Sequence, residues 1–185
     1  MRWAILAVAL LALILVPFAV AGERMDAWSV AQLRALADRP VLVVLLVVAL
    51  LTADVLLPVP SSIVATLAGV TLGFAGGAAA AMAGMVAGCV VAYGVGRWAG
   101  APAAERIVGP GEVRRLNALA QRHGGWSLAI ARPVPVLAEA STLLAGAAAM
   151  PFGRFLAVTT AANLGISIVY AAVGAFAANV QSFLL

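Results

Sequence analysis

Apolar residues run through this chain in long uncharged stretches, and the interruptions between them set the elements the sequence predicts. Trp3 to Ala21 carries no charge and has the roughly 20 residues needed to cross a hydrocarbon core. Residues 1–21 read either as an N-terminal transmembrane helix or as a signal peptide, because Met1-Arg2 precedes the run and Ala19-Val20-Ala21 resembles a cleavage site. Residues 22–40 are the first polar stretch. There Asp26 is expected to cap an interfacial amphipathic helix carrying Trp28, Ala31, Ala35 and Leu36 on one face.

Val41 to Ala53 is again uncharged but too short to span alone, and it runs into Asp54, Pro58, Pro60, Ser61 and Ser62. A polar break inside apolar sequence predicts a re-entrant hairpin, here near 41–72, with Ile63 to Leu72 as the returning arm and a span near 73–96. The connection 97–125 holds Arg97, Arg106, Arg114, Arg115 and Arg122 against Glu105 and Glu112, which places it in the cytoplasm. Within it, Pro110 and Gly124 bracket an expected surface helix. A second apolar stretch, near 126–150, is broken by Arg132-Pro133-Val134-Pro135 and by Glu139, and a last span follows near 155–178.

The two breaks repeat. Pro58-Val59-Pro60 leads to Leu67-Ala68-Gly69, and Pro133-Val134-Pro135 leads to Leu144-Ala145-Gly146. Proline removes a backbone donor and disfavours helix before it, so Pro58, Pro60, Pro133 and Pro135 open the backbone where only a protein-lined cavity tolerates it. With the Arg-rich connection inside, the first hairpin enters from outside and the second from inside. The expected fold is an all-α polytopic membrane protein. It is an inverted repeat of re-entrant hairpin plus transmembrane helix over 41–180, preceded by the N-terminal helix, with its site near the bilayer midplane.

Composition supports lipid as the solvent: 65% of the 185 residues are apolar and 10% charged, against roughly a quarter charged in soluble proteins. All 11 basic residues are Arg, and with 7 acids the net charge is +4. The cations flank apolar runs, as juxtamembrane charges do beside anionic headgroups, so nucleic acid is not expected as a partner. One cysteine, Cys89, and one histidine, His123, leave little for a metal centre or for nucleophilic catalysis. No cofactor or enzymatic activity is expected. Gly94-Val95-Gly96 ends a membrane span rather than following a strand, so it is not read as a dinucleotide loop. Glycines spaced four or eight apart at 69, 73 and 77 and again at 84, 88, 96 and 100 predict close helix packing, Gly69 and Gly146 at the hairpins, and they are compatible with a homodimer.

Asp54, Arg132 and Glu139 stand inside apolar tracts, where a charge costs about 2.5 to 3.5 kcal/mol even on lenient insertion scales. Such residues face a cavity, pair or take up a proton. Arg132 stays charged and suits a phosphate or carboxylate held in bidentate fashion, while Asp54 and Glu139 suit proton coupling. The structural alternative is a fixed Asp54–Arg132 pair closing the hairpin tips, with Glu139 at the interface. Ser61 and Ser62 would contact a headgroup or cap the returning arm.

Arg132-Pro133-Val134-Pro135, Ala145-Gly146, Met150-Pro151-Phe152 and Arg154-Phe155 resemble in order and spacing the signature of the DedA family with its VTT (SNARE-associated) domain. Tyr93-Gly94-Val95-Gly96-Arg97, Arg122-His123-Gly124-Gly125, and Asp54 with Pro58, Pro60 and Ala68-Gly69 are similar to further family segments, so the resemblance covers roughly 41–178. It implies a polytopic inner or plasma membrane protein with two opposed re-entrant hairpins. The implied activity is transbilayer movement of phospholipids or polyprenyl phosphates, coupled in bacteria to the proton-motive force. Arg132 would take the cationic role and Asp54 the acidic one. The chain departs from the pattern at Ala138, where many members carry a second Arg, and at Ser62, where an acid is typical. The expected function is a lipid flippase or scramblase whose partners are membrane lipids with anionic headgroups. The alternatives are a proton-coupled transporter of a small solute or ion, and a membrane scaffold that binds a partner through 97–125.

Overall fold

The computed structural model describes residues 24–55, 57, 59–100 and 135–184, with 102, 106, 109, 111 and 128 singly. Every regular element among the described residues is helical. Expectations for 1–21, Pro58, Arg132, Pro133 and most of the 97–125 connection lie outside them.

Residues 24–35 form α1. Asp26 lies inside this run and so does not cap it, a correction to the sequence reading. Ser29 and Leu33 are fully buried, whereas Trp28, Ala31 and Ala35 of the expected apolar face are exposed. An apolar strip facing outward is the arrangement a lipid surface favours, so in such a chain apolar does not imply inward. Helix α2, Pro40–Ala53, starts on a proline in its first turn and buries Val43, Val47, Leu50 and Leu51. Its Val41 and Leu45 point outward, 71% and 61% exposed.

Helix α3, Ser61–Val95, is not continuous. Gly73 has φ 71° and ψ 177°, a conformation open in practice only to glycine. A Cβ built at Gly77 would lie 2.6 Å from the backbone nitrogen of Gly69. Residues eight apart in a straight helix are about 12 Å apart, so the chain doubles back at Gly73. The short arm, 61–72, is about 18 Å long and α2 about 21 Å, both less than a hydrocarbon core of about 30 Å. The long arm, 74–95, reaches about 33 Å. A π-helical turn, Gly96–Gly100, continues it. Helix α4 is Pro135–Ala147 and α5 is Phe152–Leu184. Among the described residues two apolar helices are long enough to cross a membrane, one within 61–100 and one within 152–179.

Among the described residues the chain forms two compact units. One runs from Cys89 to Ala162, and the other joins the residues up to Gly88 to those from Asn163 onward. In the second, α2 lies along the long arm, with Gly84 against Leu51 and Val48 and Gly88 against the Leu51 carbonyl. The short arm packs on α5: Gly69 meets the carbonyl of Ala171, and Gly174 meets that of Thr66. In the first unit α4 packs on the end of α3 in the same manner. Gly146 meets the carbonyl of Tyr93, and Gly96 meets that of Leu143. At all four glycines any side chain would collide with backbone, which is why only glycine fits such close crossings.

Candidate functional site

Asp54 closes α2, its N–H donating to the Leu50 carbonyl at 3.0 Å. From there the chain turns sharply. Leu57 N–H donates to Ala53 O at 2.9 Å and Ser61 N–H to Val59 O at 2.8 Å, and Val64 N–H reaches the Pro60 carbonyl at 2.9 Å to open α3. Pro60 is buried and has no N–H to extend a helix backward, which fixes the break where it is. The Asp54 carboxylate lies near the Ser61 hydroxyl and the Val59 backbone, and the Val59 N–H donates to the Leu57 carbonyl at 2.8 Å. The acid therefore stands where one short helix ends and the next begins. Beside it lies a groove of about 390 Å³ whose lining is apolar: Met25 and Trp28 from α1, Leu46, Leu50 and Ala53 from α2, and Leu57. Ala53 and Leu57 flank Asp54 in the chain.

Glu139 lies in the second turn of α4 and is half-buried, in the other unit from Asp54. Thr142 donates to its backbone carbonyl at 2.7 Å. Pro135 opens α4, the position where a missing N–H costs least. The helix ends in a Schellman cap: Met150 N–H bonds to Ala145 O and Ala149 N–H to Gly146 O, both at 3.0 Å, with Ala149 at φ 52°. The Tyr93 hydroxyl donates to the Met150 carbonyl at 2.6 Å, and its ring lies 4.6 Å from that of Phe155 and 5.5 Å from that of Phe152. This clamp holds the α4–α5 turn against the end of α3. The sequence reading quoted Tyr93 only as part of a family segment and missed its partner.

A strip on α5 was also passed over. Thr159, Asn163 and Ser167, four residues apart, are each buried in a helix long enough to be a span. Thr159 donates to Phe155 O at 2.8 Å and Ser167 to Leu164 O at 3.0 Å. Their spacing on one helical face was the available signal. On α1, Asp26 Oδ1 and Ser29 Oγ are buried with no hydrogen-bond partner among the described residues.

A chain whose described residues are helical, with two membrane-length apolar helices packed through glycine crossings, has the make-up of a membrane protein. The VTT domain matches residues 59–185, and the chain belongs to that family, the DedA family domain. The family is membrane-associated and commonly transporter-like. No curated protein and no solved structure matches the chain. The match begins at Val59, so Asp54 stands just before it.

Proposed function

We propose that this protein moves lipid across the bilayer of the cell's inner or plasma membrane, where it is a multi-pass protein. The observation that carries the reading is the carboxylate of Asp54 at the junction of two helices too short to cross, next to an apolar groove. The groove suits an acyl chain, and the junction gives the polar end of the same molecule a place to pass. This pairing favours a lipid over a small solute, which has no use for the groove.

In this reading 41–72 and 126–150 are opposed re-entrant hairpins and the two halves form an inverted repeat. The matched glycine crossings of the short arm and α4 support that arrangement. Arg132 holds the anionic headgroup, and Asp54 and Glu139 exchange protons as the hairpins open in turn. The test is transbilayer movement of labelled phospholipid and of polyprenyl phosphate in proteoliposomes, wild type against Arg132→Ala. The reading expects movement by the wild type and its loss, by about a hundredfold, in the inserted variant, since a bidentate anion contact contributes roughly 1.5 to 3 kcal/mol. Undiminished movement in Arg132→Ala removes that residue from the site.

A further inference from the structure

The short arm of α3 and α4 are built alike in three respects. Each has a proline at its start, Pro60 or Pro135, which offers no backbone N–H. Each ends at a residue of positive φ, Gly73 or Ala149. Each is also seated by one and the same contact. The arm's glycine meets the carbonyl three residues before the glycine of the facing helix, and that glycine meets the carbonyl three residues before the arm's own. Gly69 and Gly174, with Ala171 and Thr66, make one seat; Gly146 and Gly96, with Tyr93 and Leu143, make the other. A further approach to a backbone nitrogen is made from opposite sides, by the facing helix's Gly174 to Val70 N at 3.0 Å in the first seat and by the arm's Gly146 to Arg97 N at 2.9 Å in the second.

A short rigid helix between two breaks of regular backbone moves as a body, with the φ/ψ change absorbed at its ends. A seat that only glycine permits has two discrete states, closed or displaced, because any widening gives up the backbone approach as a whole. We infer that the short arm and α4 are two equivalent, separately releasable elements, and that conformational change in this protein unseats one while the other stays docked. The inference goes beyond lipid movement and holds whatever substrate crosses.

The reporters are Ala68 and Ala145, the matching buried residues of the two Leu-Ala-Gly triplets. Full-length protein in liposomes, with Cys89→Ala removing the native thiol, carries either Ala68→Cys or Ala145→Cys, and the rate of maleimide labelling is measured. Gly69→Ala and Gly174→Ala overpack the first seat, Gly146→Ala and Gly96→Ala the second. Gly165→Ala, where a Cβ meets nothing within 4 Å, is the control. Overpacking the first seat is expected to raise labelling at Ala68→Cys about tenfold and leave Ala145→Cys unchanged; overpacking the second does the converse. Should an arm-glycine variant fail to accumulate, its facing-helix partner opens the same seat. A rise at both reporters from either seat, or at neither, overturns the inference, and neither result depends on whether lipid is transported.

Discussion

Tyr93 joins places 57 residues apart in the chain, through one hydroxyl and one ring. Replacing it with Phe keeps the ring contacts and leaves the Met150 carbonyl without that donor. Tyr93→Phe is expected to destabilise the detergent-solubilised protein by about 1 kcal/mol, seen as a lower thermal midpoint, with insertion intact. An unchanged midpoint would remove the hydrogen bond from the clamp. Charged residues in apolar runs are visible in sequence because the run itself supplies the contrast, and Asp54, Arg132 and Glu139 stood out for that reason. A tyrosine among aromatic and small residues supplies no contrast. Its partner is a backbone carbonyl, and no residue type marks one. The place of Ser61 was half legible: the serine was seen as a cap or a headgroup contact, and it lies near the acid that ends the preceding helix.

At the scale of elements, two turns with positive φ invite opposite substitutions. Gly73, at φ 71° and ψ 177°, holds the reversal between the arms of α3. Gly73→Ala forces a Cβ into that backbone region and should cost about 1 to 3 kcal/mol, although a Cβ there meets no neighbouring atom. Ala149, at φ 52° in the Schellman cap, already bears that kind of strain. Ala149→Gly should raise the thermal midpoint, the gain being about 1 kcal/mol. A fall in that variant would mean that Ala149 is favoured by contacts that outweigh its backbone. Helices as a class were readable from apolar runs and proline breaks. The buried pair of α1, Ser29 and Leu33, was not, because the expectation named only the apolar face that a surface helix turns to lipid. Gly73 was hidden among many glycines whose role, packing or turning, depends on what lies opposite.

For the whole molecule, the membrane class and the VTT family were legible in composition, in the order of apolar runs and in the short motifs around the second break. The particular pairing of arms with helices was not legible, since a glycine crossing requires two distant segments and leaves on each only a residue without a side chain. The proposed function is lipid movement governed by the acid at the first break. The direct measurement is the rate of labelled phospholipid movement in proteoliposomes with and without a pH gradient, for the wild type and Asp54→Asn. The account predicts that the gradient accelerates the wild type and that Asp54→Asn, folded and inserted, loses that response. A gradient response in Asp54→Asn equal to that of the wild type, or a wild type that moves no lipid at all, would contradict it.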